Sequence, residues 1–188
     1  MVSRQIEIAL DFKDRLQSIS FINLEILGGA PRDWAIGNPA HDIDFYVLDS
    51  DEGFTELDEV EIIGVSGLHN LGEQYVGASI RSVQEFFYRG MRINLIFHSA
   101  TTREEVLKEF PTSVSKAYFD FTTNTPILTK EAILSFATGI LILDENEQNV
   151  RYVDKIKGYF PHMKVGTLVD MSYKCMDIVL NSYKGATK

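Results

Sequence analysis

The feature that most constrains the fold of this chain is a glycine pair followed, within one short segment, by two alternating aspartates. Gly28 and Gly29 end a run of strand-forming residues, and Asp42 and Asp44 open the next such run. Side chains at alternating positions of a strand point to the same face of its sheet. The segment therefore predicts two neighbouring strands that bring a glycine turn and two carboxylates to one rim.

These residue types suit phosphate chemistry. Two carboxylates on one face can hold divalent cations such as Mg²⁺ or Mn²⁺, which prefer oxygen ligands. A glycine turn lets backbone N–H groups come close to phosphate oxygens. The pattern predicts a site for a nucleoside triphosphate with its metal ion, and it lacks the spacing of a dinucleotide fingerprint or a Walker loop.

Hydrophobic periodicity and turn signals predict the remaining elements. Helices are expected over 4–18, from Pro31 to about Gly37, from a Thr101–Glu104 capping box to about Phe110, and over 130–137, 146–158 and 166–183. Strands are expected over 21–27, 42–48, 59–65, 80–88, 92–98 and 139–143, with a loop over 66–78 and no assignment for 111–128. Strands cluster before residue 100, which favours an α+β fold with a mixed sheet. We place a head domain at 1–143 and a short helical, neck-like extension at 144–188.

Composition excludes some classes of function. The 188 residues include 18 Lys and Arg against 27 Asp and Glu, a formal net charge of −9, which argues against a broad basic face for nucleic acid. With Cys175 as its one cysteine, the chain forms no disulfide of its own, and a cytoplasmic location is expected. No secretory or membrane-spanning apolar run is visible, so no membrane partner is expected.

The first segment also resembles a known family. Gly28-Gly29, Arg32-Asp33, Gly37 and Asp42-x-Asp44 are similar, at the same spacing, to the head-domain signature of bacterial CCA-adding tRNA nucleotidyltransferases and poly(A) polymerases. Those enzymes belong to the polymerase-beta-like nucleotidyltransferase superfamily. The resemblance implies a nucleotidyltransferase sheet with flanking helices and assigns Asp42 and Asp44 as catalytic ligands of two Mg²⁺ ions. It also implies that Gly28, Gly29, Arg32 and Asp33 bind the nucleotide, although Arg32 and Asp33 could instead pair with each other.

A second segment carries a looser resemblance. Asp120, Phe121, Thr122 and Asn124 match the family's Asp-Phe-Thr-x-Asn segment, which implies that Asp120 and Asn124 help to bind the incoming nucleotide. Tyr118 and Phe119 stand where that family has an arginine pair. A turn held by local side-chain hydrogen bonds explains the same residues equally well.

One departure concerns the third carboxylate that the superfamily usually places on a later strand. Asn94 occupies the expected position, and Glu85 on the preceding strand is a possible substitute. Two functions therefore stay open. The first is nucleotidyl transfer from a nucleoside triphosphate to an acceptor hydroxyl (an RNA 3′ end, a protein or a small molecule) with release of pyrophosphate. The second is a catalytically weak or inactive nucleotide-binding or interaction module.

Overall fold

The computed structural model describes residues 1–18, 23–49, 65–70, 79–143 and 150–185. The helices are α1 Val2–Ser18, α2 Gly29–Ala35, α3 Arg103–Glu109, α4 Lys130–Thr138, α5 Val150–Tyr159 and α6 Leu168–Gly185. The strands are β1 Leu24–Ile26, β2 Asp42–Val47, β3 Val65–Asn70, β4 Ile80–Tyr88, β5 Met91–His98, β6 Ala117–Asp120, β7 Thr125–Leu128, β8 Ile140–Ile142 and β9 Lys164–Gly166. A 3₁₀ turn lies at Ser113–Ser115.

The mixed α+β fold is confirmed, and most predicted elements are present within a few residues of their predicted bounds. The predicted loop over 66–78 is wrong in its first part, where β3 continues to Asn70, and residues 71–78 lie outside the described residues. The strand predicted over 59–65 also lies outside them, apart from Val65. The unassigned stretch 111–128 contains β6 and β7, and β9 was not predicted.

The capping box of α3 lies one residue later than predicted. The Oγ1 of Thr102 accepts a hydrogen bond from the backbone N–H of Glu105, and the Glu105 carboxylate accepts bonds from the backbone N–H groups of Thr101 and Thr102. Threonines occupy both 101 and 102, so the sequence alone was compatible with a capping box that begins at either of them. The reciprocal bonds select Thr102 and Glu105 as the box.

Five strands form one mixed sheet in the order β1-β2-β5-β4-β3. β2 and β5 pair in parallel at its centre, whereas β1–β2, β4–β5 and β3–β4 pair antiparallel. β4 and β5 form the predicted hairpin, which turns at Arg89 and Gly90, both at positive φ. Since β2 and β5 are distant in sequence, their parallel pairing brings together residues that no local turn connects.

The helix α1 covers one face of this sheet. Its residues Ile8, Phe12 and Leu16 are buried at helical spacing, which is the pattern of a helix packed on a sheet. The Phe12 ring lies 5.2 Å from that of Phe45 and 5.3 Å from that of Phe86, measured between centroids. Alternate residues of the strands point to this core, so the residues between them face the other side.

The chain forms two compact units. The first comprises Met1–Glu109 and Ala117–Ile127, and contains the five-stranded sheet. The second comprises Phe110–Lys116 and Leu128–Lys188. The boundary between a head domain and a neck-like extension, expected after residue 143, stays a prediction.

The second unit contains helices α4, α5 and α6 and a parallel pair, β8–β9. Thr129 caps α4 by accepting a hydrogen bond from the backbone N–H of Ala132, and Gly139 ends it in the left-handed conformation. The Ser113 hydroxyl bonds to the Ser135 hydroxyl at 2.6 Å and accepts the backbone N–H of Ile142 at 3.0 Å. In the part of the chain that the structure describes, no helix combines the length and apolarity needed to cross a bilayer.

The packing of Phe12 gives a stability prediction. Phe12→Ala should lower the free energy of unfolding by about 3–5 kcal/mol, because it leaves a cavity among three aromatic rings. Phe87→Ala is the matched control: its ring is 42% exposed, and the loss should be about 1 kcal/mol or less. Urea unfolding of both variants measures the difference, and equal losses would contradict the placement of α1 on the sheet.

Candidate nucleotide and metal site

The glycine turn at the end of β1 lies beside the start of the aspartate strand β2, as the sequence predicts. The backbone N–H of Leu27 donates to the carbonyl oxygen of Asp44 at 3.4 Å, and that of Gly28 donates to the carbonyl of Ala117 at 2.9 Å. Gly28 has φ 86° and ψ −124°, a conformation that residues with a Cβ rarely adopt. Glycine at this position is therefore required by the backbone that carries the chain from β1 into α2.

Arg32 and Asp33 pair with each other, which was the simpler of the two expectations for them. The Arg32 Nε lies 2.7 Å from Asp33 Oδ1, and their side chains are 5% and 13% exposed. A Cβ on Gly29 would lie 3.8 Å from the Arg32 Nη2, so the guanidinium reaches back to the glycine turn. The pair helps to order the turn, and a role for Arg32 or Asp33 in nucleotide binding stays a prediction.

Asp42 and Asp44 lie half-buried on the sheet face opposite to the core, and both contact strand β5. In the parallel register Asp42 is opposite Arg92 and Asp44 is opposite Asn94. The Arg92 Nη2 donates to Asp42 Oδ2 at 2.5 Å, and the Asn94 Nδ2 donates to Asp44 Oδ1 at 2.7 Å. The predicted placement of Asn94 beside the aspartates is therefore observed.

Glu85 completes this group from the neighbouring strand. It is opposite Asn94 in the β4–β5 register, and its Oε2 lies 3.7 Å from the Arg92 Nη1. We call Asp42, Asp44, Glu85, Arg92 and Asn94 the Asp42 cluster. It contains three carboxylates and one guanidinium, so the charge at the site is balanced only in part.

The carboxylates of the cluster shift the pKa of Arg92. Partial burial lowers the pKa of Arg92, but the carboxylates of Asp42, Glu85 and Asp44 outweigh this effect and raise the pKa above its usual range. Arg92 is therefore charged at neutral pH. It is a permanent cation beside Asp42.

The oxygen atoms of the cluster suit a divalent cation. Asn94 Oδ1 is buried and accepts no hydrogen bond from the residues that the structure describes, and such an orphaned acceptor costs free energy unless a donor or a cation satisfies it. Across the described ranges no group of three or more His, Cys, Asp or Glu side chains could hold a metal ion. Carboxylate and amide oxygens are the donor types that Mg²⁺ and Mn²⁺ prefer, and metal binding by Asp42 and Asp44 stays a prediction.

Asp120 and Asn124 belong to a different local structure. The Asp120 carboxylate accepts hydrogen bonds from the Thr122 backbone N–H and the Thr123 hydroxyl, both at 2.9 Å, and the Thr122 bond above all lowers the Asp120 pKa. Asn124 is exposed at φ 54° in the turn between β6 and β7. The turn expected as the alternative for these residues is thus present, and their role in nucleotide binding stays a prediction.

The β6 register also fixes where this turn lies. Tyr118 bridges Leu27 in antiparallel orientation, so Ala117 lies beside Gly28 and the residues after Tyr118 run back along β1. Asp120 is therefore carried away from the glycine turn. Nothing in the described contacts brings Asp120 or Asn124 to the Asp42 cluster.

The sequence motifs did not predict Arg92 as part of the site. The signal was available, because Arg92 and Asn94 alternate on β5 in the same way as Asp42 and Asp44 alternate on β2. The local sequence pattern did not specify which strand pairs with β2. The parallel register shows that Arg92 contacts Asp42.

Comparison with known proteins bears on the fold. No protein-family model matches the sequence, and no curated protein is significantly similar to it. The Thermotoga maritima CCA-adding enzyme complexed with tRNA matches with a TM-score of 0.53 at 13% identity, over 82% of this chain and 38% of that chain. The Bacillus stearothermophilus CCA-adding enzyme in complex with CTP gives 0.51 at 15% identity, over 81% and 36%. A tRNA-processing enzyme in an apo form gives 0.60 at 14% identity, over 92% and 46%.

These likenesses establish a CCA-adding-like nucleotidyltransferase fold for the chain, in agreement with the resemblance found in the sequence. The chain spans less than half the length of each of these structures. At such low identity the similarity concerns the fold alone.

The contact between Asn94 and Asp44 predicts the effect of a third carboxylate. Asn94→Asp replaces a donor by a second negative charge beside Asp44, so the free energy of unfolding in EDTA should fall by roughly 2 kcal/mol. Mn²⁺ should bind this variant more tightly than wild type and should restore much of the lost stability. Thermal unfolding with and without Mn²⁺ measures both effects. Gln17→Glu, an exposed change on α1, is the charge-matched control, and an identical response in the two variants would contradict the prediction.

Proposed function

We propose that this chain is a metal-dependent nucleotidyltransferase, which transfers a nucleoside monophosphate from a nucleoside triphosphate to an acceptor hydroxyl. The observation that carries the proposal is the position of Asp42 and Asp44 on the open face of a nucleotidyltransferase sheet, at the edge where the Gly28 turn lies. The similar structures include CCA-adding enzymes in complex with ATP and with CTP, which supports a nucleoside triphosphate as the donor.

The residues of the site have distinct roles in this proposal. Asp42 and Asp44 would hold a divalent cation, which supplies positive charge to the triphosphate and lowers the pKa of the acceptor hydroxyl. The backbone at Gly28 and Gly29 would lie against the β and γ phosphates. The Arg32 guanidinium, which lies next to Gly29, would help to hold the turn in place. Asp33 would fix the Arg32 guanidinium.

The reaction needs positioning more than covalent chemistry. The acceptor oxygen bonds to the α-phosphorus, the bond from that phosphorus to the bridging oxygen breaks, pyrophosphate leaves, and the hydroxyl proton passes to water. Holding donor and acceptor in line and neutralising the phosphate charge supply most of the rate in transfers of this kind. The Asp42 cluster and the Gly28 turn are at the same sheet edge, as such positioning requires.

The acceptor is proposed from the fold neighbours. One of them is complexed with tRNA, which favours an RNA 3′ end, while a protein or a small molecule is the alternative acceptor. Each α-labelled nucleoside triphosphate should be incubated with the protein, Mg²⁺ and either total RNA or RNase-treated cell extract. Label on RNA alone supports the RNA acceptor, and label that survives RNase treatment supports the other two.

A second candidate is a nucleotide-binding module with little or no catalytic activity. The arginine on Asp42 and the neutral Asn94 beside Asp44 favour it, because both reduce the negative charge available to metal ions. Binding of nucleoside triphosphate without transfer to any acceptor would support this candidate and overturn the first.

The two aspartates give the sharpest test of the catalytic proposal. Asp42→Ala and Asp44→Ala should each lower nucleotidyl transfer by at least about a hundredfold, because each removes a ligand of the catalytic cation. Initial rates with saturating labelled nucleotide measure the loss. Asp14→Ala, an exposed aspartate on α1, is the control and should retain wild-type rates. Near-wild-type turnover in either site variant would contradict the proposed mechanism.

Nucleotide binding should depend on the metal. Three carboxylates lie in the Asp42 cluster, so a bare triphosphate is repelled, and its affinity in EDTA should fall by roughly tenfold or more relative to Mg²⁺. Isothermal calorimetry of one nucleoside triphosphate with and without EDTA makes the comparison. Undiminished affinity in EDTA would count against a metal-linked site.

A further inference from the structure

Arg92 has no role in the mechanism above, yet it makes the shortest polar contact of the Asp42 cluster. Its Nη2 lies 2.5 Å from Asp42 Oδ2 and its Nη1 lies 3.7 Å from Glu85 Oε2, so one guanidinium bridges carboxylates of two strands. A divalent cation that bound Asp42 through this Oδ2 would have to displace the guanidinium. Two cations cannot occupy the same lone pairs at the same time.

We infer that Arg92 is a built-in counter-cation, which competes with the divalent cation for Asp42. This inference rests on the proposed function, since it concerns the metal of that same site. In the absence of metal the guanidinium neutralises the charge of Asp42, one of the three carboxylates of the cluster. Metal binding then requires Arg92 to leave Asp42. The affinity for the metal is therefore lower than that of the same site without the arginine, by the free energy of the Arg92–Asp42 ion pair.

The geometry allows this exchange. The Arg92 side chain is 42% exposed, whereas Asp42 is 26% and Glu85 20% exposed. A long side chain near the end of a strand can turn into solvent without moving the backbone, and its remaining contact with Glu85 gives it an alternative partner. Asn94 differs in this respect, because its Oδ1 is buried and the side chain is fixed on Asp44.

The experiment measures Mn²⁺ binding to the protein without nucleotide, by calorimetry. Arg92→Gln keeps a polar side chain at this position and removes its charge, and it should tighten Mn²⁺ binding by about fivefold, the strength of a half-exposed ion pair. Arg92→Ala should do the same if the first variant folds poorly. Arg89→Ala is the matched control, since Arg89 lies in the same hairpin and pairs instead with Asp11; it should leave the Mn²⁺ affinity unchanged.

A double-variant cycle separates competition at Asp42 from a general change in charge. In an Asp42→Asn background, Arg92→Gln should give no gain in Mn²⁺ affinity, because the contested carboxylate is gone. An equal gain in both backgrounds, or no gain in either, overturns the inference. If Mn²⁺ binding is lost in Asp42→Asn but unaffected by Arg92→Gln, the proposed metal site stands and the role of Arg92 fails. If neither wild type nor Arg92→Gln binds Mn²⁺, both are wrong.

Discussion

The parallel pairing of β2 with β5 is the constraint on which the rest of this structure depends. It places Asp42 opposite Arg92 and Asp44 opposite Asn94, while the alternate residues of both strands enter the core under α1. A slip of one residue would turn the carboxylates into the core and the apolar side chains into solvent. The burial of the core therefore fixes the register, and the register in turn fixes the chemistry of the open face.

This coupling explains which features the sequence could predict. Local signals were sufficient for the glycine turn, for the shared face of Asp42 and Asp44, and for the β4–β5 hairpin, because each depends on neighbouring residues. The long-range features were harder. The position of Arg92 on Asp42 follows from a pairing between distant strands, and no local pattern specifies which strand joins β2. The capping register of α3 was missed for a smaller reason, since adjacent threonines fit the motif equally well.

The face of the sheet that carries the aspartate pair also carries hydrogen-bond donors. The side chains opposite Asp42 and Asp44 are an arginine and an amide. Both of these donate hydrogen bonds to the aspartates. The cation proposed for this site would therefore compete with two donors that already occupy aspartate oxygens.

The separation of the two strands along the chain has a consequence for biosynthesis. Asp42 and Asp44 lie 50 positions before their partners Arg92 and Asn94, so a growing polypeptide carries the aspartates well before β5 exists. Contacts at such separation form slowly, because a long loop must close before they contribute stability. During synthesis, therefore, the aspartates stay solvated and without these partners until the central pair of strands closes. The site comes into being only in the same step that completes the sheet.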